Sequence, residues 1–431
     1  MSAVKISDWL TVASQPDRET LAAVARQGFA AVINNRPDGE DTSQLDNASE
    51  RALLGQAGLA YSFIPVTGTT ITAADIQAFQ QATSGAKGPV YAHCRSGTRS
   101  LTLHVLGEVL DGRMKPGEVA AFGRSHGFDL SGAVDWLARQ AARVPQVTGF
   151  HEPRTGSIQY VVSDPGTRRC AIIDPVYDFD EKSGATATHQ ADQILAHVAR
   201  EGLTVEWILD THPHADHFSA ASYLKEKTGA PMGIGRHVTA VQRLWQTIYN
   251  WPELRTDGSQ WERLFDDGDG FRIGDLEGRV MFSPGHTLAS VTYVVGDAAF
   301  VHDTVFMPDS GTARADFPGG SASALWRSIQ AILALPDQTR LYTGHDYEPG
   351  GRAPKWQSTV AEQKRANSHL AGMTEESFVA LRQARDQALP MPKLILHALQ
   401  VNIRGGRLPD LEANGRRYLK FPLDGLGAAV W

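Results

Sequence analysis

Through the first third of the chain, short apolar runs alternate with longer amphipathic ones. AAVINNRP, a polar turn, ASERALLGQAGLAYSFIPV, ADIQAFQQATSG, PVYAHC and SLTLHVLGEVLDG follow one another. Strand-like and helix-like runs in alternation predict a parallel sheet covered by helices. AVDWLARQAARV reads as the closing helix of this unit, and PQVTGFHEP, which brings Pro145 and Gly149 together, predicts a boundary after it. From Phe150 the pattern changes to short strands and tight turns. SIQYVVSD and CAIIDPV predict an antiparallel hairpin; helices follow, and then a second strand set at RVMFSPG, SVTYVVG and AAFVHD. Two strand sets separated by helices predict a four-layer αββα sandwich. The expected plan is therefore an α/β domain over residues 1–143 and a sandwich over 148–431. DDGDGF, residues 266–271, lacks the spacing and closing glutamate of a calcium loop and reads as a hairpin turn.

Composition narrows the function class. A chain of 431 residues exceeds one ordinary core, which agrees with two or three domains. The net charge of -7 and the absence of a lysine or arginine run offer no nucleic-acid footprint and favour a small-molecule substrate. Cys94 and Cys170 are the two cysteines, too few for a disulfide framework, so a reducing compartment is expected. MSAVKISDWL has no secretory pattern and no window reaches the apolar length of a membrane helix, so the expectation is a soluble cytoplasmic protein.

The densest chemistry is THPHADH, residues 211–217. Side chains of an extended segment repeat every two residues, so His212 and His214 project to one side at the end of VEWILDT. Asp216 and His217 follow as the chain turns. Downstream, SPGHT supplies His286, FVHDT supplies Asp303 and YTGHDY supplies His345, each where a strand ends. So many metal-competent groups at strand ends are hard to explain as packing. Histidine and carboxylate without cysteine suit zinc, iron(II) or manganese. A two-metal arrangement would place His212, His214 and His286 on one ion and Asp216, His217 and His345 on the other, with Asp303 bridging. Asp174, after the apolar strand of AIIDP, either steadies this loop from behind or caps a turn, and Cys170 is assigned to the core.

Ligands at successive strand ends resemble the metallo-β-lactamase superfamily over residues 150–350. The flanking stretches HADHFSAASYLKEKTGAP, SPGHTLASVTY, GTARADFPGGS and YTGHDYEP resemble its persulfide dioxygenases, which hold one iron(II). That resemblance implies a facial triad of His212, His286 and Asp303, with His214, Asp216, His217 and His345 orienting ligands and bound water or holding a second metal. It also implies Tyr347 as a hydrogen-bond donor and Arg314 as the holder of an anionic part of the thiol carrier. His302 departs from the family pattern, standing where a glycine commonly precedes the ligand aspartate, and so do Thr312 and Ala313, in place of a glycine-rich pair. Trp245, Trp251 and Trp261, in the long stretch before His286, predict the small core of an insertion.

In YAHCRSGTRS, a strand enters a loop that opens a helix. Backbone N–H groups, the helix dipole and Arg99 would stabilise negative charge on Cys94 and make it a nucleophile. The N-terminal unit resembles dual-specificity phosphatases, including ISDWLTVASQPDRETL and the VINNRP strand. Those enzymes place five residues between cysteine and arginine. Here Arg95, Ser96, Gly97 and Thr98 make four, the spacing of rhodanese-type sulfurtransferases. Asp75, the only carboxylate between Tyr61 and the loop, reads as a helix-start residue and not as a leaving-group acid.

Together the halves resemble the β-lactamase-hydrolase-like fusion proteins, in which a phosphatase-like domain precedes a persulfide dioxygenase. The resemblance implies iron-dependent oxidation of a low-molecular-weight persulfide to sulfite, with Cys94 passing sulfane sulfur, for instance from a persulfide to sulfite, in sulfide detoxification. The expected cofactor is Fe(II), one per chain. Expected partners are a small-molecule thiol persulfide and O2, with no nucleic acid, no membrane, and a second copy of the chain as the candidate assembly partner. The alternative is a dizinc thioester or lactone hydrolase of glyoxalase II type with an N-terminal phosphatase.

Overall fold

The computed structural model describes residues 3–42, 44–68, 70–141 and 144–426, and the chain folds as two units, Met1–Ala141 and Ala142–Trp431. In the first, β1 (Val4–Lys5), β2 (Leu10–Ala13), β3 (Ala31–Asn34), β4 (Ala60–Phe63) and β5 (Val90–His93) form one sheet in the order β1-β2-β5-β3-β4. All neighbours are parallel except the β1–β2 pair. The helices are α1 (Arg18–Val24), α2 (Asn47–Gln56), α3 (Ala73–Ser84), α4 (Thr98–Leu110), α5 (Val119–Ser125) and α6 (Ser131–Ala141). Successive strand residues point to opposite faces, and both faces are apolar. Val12, Ile33 and Ala92 join Phe79, Leu101 and Trp136 in one core, while Ala13, Val32 and Tyr91 join Leu21, Val24 and Leu54 in the other. Asp75 and Thr72 form a reciprocal capping box at the start of α3, which is the helix-start role expected of Asp75.

The second unit stacks two six-stranded sheets. The first uses β6 (Gln146–Glu152), β7 (Ser157–Asp164), β8 (Arg169–Ile173), β11 (Thr204–Leu209), β13 (Met232–Gly235) and β14 (Arg263–Phe265), ordered β14-β13-β11-β8-β7-β6. β9 (Val176–Asp180), β10 (Ala185–Ala187) and β12 (Phe218–Ser219) make a small separate sheet. The second large sheet runs in chain order through β15 (Gly270–Ile273), β16 (Leu276–Phe282), β17 (Val291–Val295), β18 (Ala298–His302), β19 (Arg340–Thr343) and β20 (Gln357–Thr359). Tyr160, Ala171, Ile173 and Leu209 meet Val280, Tyr293 and Phe300 between the two large sheets. The alternate residues Val161, Ile172 and Ile208 face outward against α7 (His189–Arg200), α8 (Ala221–Thr228), α9 (Val238–Ile248) and α13 (Ile395–Asn402). Beyond the second sheet, Val301 and Leu341 pack under α10 (Ala322–Leu333), α11 (Val360–Ala366) and α12 (Glu375–Gln387). The expected αββα layering is present, and the predicted hairpin is β7–β8.

The units divide between Ala141 and Ala142, just ahead of PQVTGFHEP, and within that stretch β6 pairs with β7 from Gln146 to Glu152. The glycine of this strand answers a packing need: a Cβ on Gly149 would lie 2.5 Å from Trp356 Nε1. Two local expectations change. The acidic turn after β14 crosses from one sheet to the other instead of closing a hairpin. Its carboxylates serve arginines, with Asp266 at 2.8 Å from Arg236 and Asp269 at 3.0 Å from Arg263. Trp245 and Trp261 belong to the main helix-facing core of the first sheet, with Trp251 packed against it, and build no core of their own. Cys170 lies in that core, where burial pushes its thiol up to about 12.

Candidate active sites

The histidine cluster forms where β11, β16, β18 and β19 run out. Asp174, just past β8, supports it from behind in a left-handed conformation, φ 50°. Its Oδ1 accepts from Thr211 N–H at 2.7 Å and its Oδ2 from the Thr211 hydroxyl at 2.8 Å. Asp174 therefore steadies the loop, one of the two roles foreseen for it. Since Thr211 Oγ1 commits its single proton to Asp174, it can only accept from His212 Nδ1, 3.0 Å away. His286 Nδ1 likewise donates to the Arg314 carbonyl at 2.9 Å. Both rings are thereby held in the tautomer that leaves the Nε2 lone pair free. Burial lowers the basicity of both, so they stay neutral.

Asp303 Oδ2 lies 3.8 Å from His212 Nε2 and 3.6 Å from His286 Nε2. One ligand atom from each of His212, His286 and Asp303 falls within 4.8 Å of the others. Among the described residues two further groups do the same, His214 with Asp216 and His217, and Asp216 with Asp303 and His345. His214 lies between the two sets, its ring centroid 4.1 Å from that of His212 and 4.2 Å from that of His217. It also sits 3.0 Å from Asp174 Oδ1. Burial, which would lower its basicity, is outweighed by that carboxylate, and His214 rises to about 9.

His345 links the groups. Its Nδ1 is 2.6 Å from Asp303 Oδ1 and its Nε2 is 2.7 Å from Asp216 Oδ2. Against the effect of burial, the two carboxylates hold His345 protonated well above the ordinary histidine range. Asp303 is held down to about 2, burial being overcome by His345. The ring of Tyr347 lies parallel to that of His345 with centroids 5.6 Å apart, which brings Tyr347 to the cluster. The Arg314 guanidinium is turned elsewhere, paired with Asp316 at 2.7 Å and donating to the Pro390 carbonyl at 2.7 Å. His302, at φ 39°, occupies a backbone region that glycine enters freely, which accounts for the glycine common at this position and not for the histidine here. Its ring is buried, bonded to Ser283 Oγ at 2.8 Å and to Thr304 Oγ1 at 2.9 Å.

Two contributors escape sequence reasoning. Ser157 Oγ lies 2.9 Å from Asp216 Oδ2 and 3.1 Å from both His217 Nδ1 and His345 Nε2. Asn402, in α13, donates to the carbonyls of His214 and His217 at 2.7 Å each and accepts from Ser219 N–H at 2.8 Å. Only the apolar text around Asn402, LILHALQVN, hinted at a packed helix there.

The donor set fits a divalent metal. His212 Nε2 and His217 Nε2 are buried without a hydrogen-bond partner, a costly state for a ring nitrogen unless it binds an ion. A cavity of about 240 Å³ reaches Asp216 and His217 and is lined by Arg154, Tyr177 and Lys393 among others.

The other site lies between β5 and α4. Cys94 is buried at the strand end, and its Sγ accepts from Gly97 N–H at 3.1 Å. Gly97, at φ 89°, makes the turn into α4, and a Cβ there would lie 2.9 Å from the Phe128 ring. Arg99 is drawn to Glu40, with Nη1–Oε1 and Nη2–Oε2 distances of 2.7 and 2.8 Å. Glu40 is a partner that the loop's own sequence does not announce. On the far side of β5, His93 Nε2 meets Glu50 Oε1 at 2.5 Å in a fully buried pair.

The phosphatase-like domain model of beta-lactamase hydrolase-like proteins matches residues 4–111, and the metallo-beta-lactamase superfamily model matches residues 154–345. A beta-lactamase hydrolase-like protein of Xylella fastidiosa is 68% identical over 431 residues, covering 100% of both chains. Glyoxylase B2 of Dictyostelium discoideum is 44% identical over 279 residues, 64% of this chain and 96% of that protein. The mitochondrial persulfide dioxygenase of Homo sapiens is 30% identical over 258 residues, 59% of this chain and 86% of that protein. Two units, two sites and full-length similarity agree: the chain belongs to the beta-lactamase hydrolase-like proteins, a phosphatase-like domain followed by a metallo-beta-lactamase domain.

Proposed function

We propose that the second unit oxidises a low-molecular-weight persulfide, such as glutathione persulfide, to sulfite, and that Cys94 of the first unit passes sulfane sulfur to or from the same pool, in sulfide detoxification. The reaction balances as persulfide, O2 and water giving thiol, sulfite and two protons. One iron(II) per chain would be held by His212, His286 and Asp303. Bound there, it would supply neighbouring positions for O2 and the substrate sulfur together with the electrons that activate O2.

The observation that carries this reading is the division of Asp303. One oxygen faces His212 and His286, while the other accepts from His345, whose second nitrogen is bonded to Asp216. His345 thus bridges the two carboxylates, where a two-metal enzyme would place its second ion. Similarity to the human persulfide dioxygenase supports the same substrate class. Tyr347, stacked on His345, would donate to the bound substrate, and Arg314 would take a carrier carboxylate by exchanging Asp316 for it. At the other site, the Cys94 thiolate attacks the outer sulfur of a persulfide. A Cys94 Sγ–S bond forms, the donor S–S bond breaks, and its electron pair leaves on the carrier as thiolate.

Protein loaded anaerobically with iron(II) should consume O2 when given glutathione persulfide. Uptake no greater than that of a His286→Ala control would refute the dioxygenase reading. The free Nε2 of His217 and the similarity to Glyoxylase B2 favour a second reading, a dizinc thioester hydrolase. Two zincs per chain with turnover of S-lactoylglutathione would select it. Cyanolysable sulfur on Cys94, lost in Cys94→Ser, would establish transfer at the first site, whereas hydrolysis of p-nitrophenyl phosphate would select a phosphatase.

A further inference from the structure

Arg382, in α12, is among the largest fully buried side chains of the described residues, and it is paired with Asp386 one turn further along the same helix. Its Nε and Nη2 donate to Asp386 Oδ1 at 3.1 and 2.7 Å. Taking two charges out of water offsets much of their attraction, so such a pair adds little to stability by itself. What it holds is more informative. Arg382 Nη1 donates to the Thr312 carbonyl at 3.0 Å, and Asp386 Oδ2 accepts from Ala315 N–H at 2.9 Å. The pair grips both ends of the segment that carries the Arg314 carbonyl.

The N–H of Ala315 and the carbonyl of Arg314 are the two polar groups of a single peptide unit. That unit is planar and trans, so its oxygen and its hydrogen point to opposite sides. On one side the carbonyl accepts from His286 Nδ1–H at 2.9 Å, and on the other the N–H is given to the Asp386 carboxylate. A continuous line of hydrogen bonds therefore runs from Arg382 through Asp386 and one peptide to His286. His286, Ala315, Arg382 and Asp386 are all buried, so no bulk water screens it. In such a chain each bond polarises the next. A charged acceptor on the N–H moves electron density onto the carbonyl oxygen, which then holds the Nδ1 proton more firmly and makes Nε2 the better electron donor.

Resting on the assignment of His286 as a metal ligand, we propose that Asp386 is a positioning residue for the metal edge. Acting through the Arg314–Ala315 peptide, it fixes the His286 tautomer and strengthens Nε2 as a ligand, while Arg382 holds the carboxylate in place. The relay acts on the ligand and not on the ion, so its effect is the same in kind for iron(II) and for zinc.

The test uses the full chain as wild type, Asp386→Asn, the double variant Arg382→Met/Asp386→Leu, and His286→Ala. Asparagine keeps an oxygen for Ala315 N–H without the charge. The double variant replaces the buried pair by apolar groups of similar volume and leaves no unpaired charge inside. In metal-free protein with isotope-labelled histidine, the NMR signals of His286 are identified by their loss in His286→Ala. Wild type should show Nδ1 protonated, its proton well downfield of an ordinary imidazole N–H, and both Asp386 variants should move that proton upfield. Binding of iron(II) and of zinc, each measured by competition with a chelator, should weaken roughly tenfold in Asp386→Asn and further in the double variant. A wild-type His286 whose Nδ1 carries no proton would overturn the proposal. So would an Nδ1–H signal that stays in place in both variants, even with weakened metal binding, since a merely structural pair would behave that way. Unchanged affinity for both metals in both variants would overturn it as well. Undiminished metal binding in His286→Ala would instead sink the ligand assignment, while the Nδ1–H signal still decides whether Asp386 acts on this ring.

Discussion

The two candidate sites of this protein both lie where strands run out, yet they are assembled in opposite ways. Cys94, Gly97 and Arg99 lie on one continuous strand–loop–helix segment, and a single glycine conformation sets their geometry. The histidine edge draws on Ser157, Asp174, His212, His286, Asp303, His345 and Asn402, from strands of both large sheets and from a helix near the C-terminal end. A local site can be specified by spacing, but it takes its electrostatic partner, here Glu40, from wherever the fold delivers one. A dispersed site is specified by ligand type, and each ring's role is then assigned by what stands behind it.

The largest effect expected should separate the two sites outright. His286→Ala should abolish O2 uptake and bring iron content down by more than the roughly 10–100-fold that loss of a supporting partner causes, while Cys94 still accepts sulfane sulfur. Loss of both functions in that variant would break the comparison. Asp174→Ala should lower iron affinity by roughly 10–100-fold, measured by competition with a chelator, because His212 loses the constraint on its tautomer. Wild-type affinity there would show that Asp174 serves the turn alone.

Asn402→Ala should destabilise the protein by about 1–3 kcal/mol in denaturant melts, since two carbonyls and one N–H of the histidine loop lose their partner. Iron affinity should fall with it, tying a remote helix to the metal edge. The smallest effect concerns Glu40, whose carboxyl is lowered from 4.5 to about 2 by Arg99 and Arg36, against the effect of desolvation. A depressed carboxyl contributes stability that is present above 4.5 and lost as pH falls through about 2. The melting difference between wild type and Glu40→Gln should therefore be constant near neutrality and vanish in that acid window. Because Glu40 is partly exposed, the difference should be small.

The chain's pattern carried the two-unit plan, the parallel sheet of the first unit and the αββα layering of the second, because period-2 and helical periodicities are local properties of the text. It also carried the identity of the metal-competent residues and the length of the Cys94 loop. Tertiary structure alone decided that residues 146–152 form a strand whose glycine makes room for Trp356, that His214 lies against Asp174, and that Arg314 orients His286 through its carbonyl while its guanidinium turns to Asp316. It decided too that Glu40 occupies Arg99. The reason is physical: a side chain's type and spacing are written locally, whereas its protonation, tautomer and free lone pairs depend on partners that folding brings from far along the chain, and no local pattern encodes them.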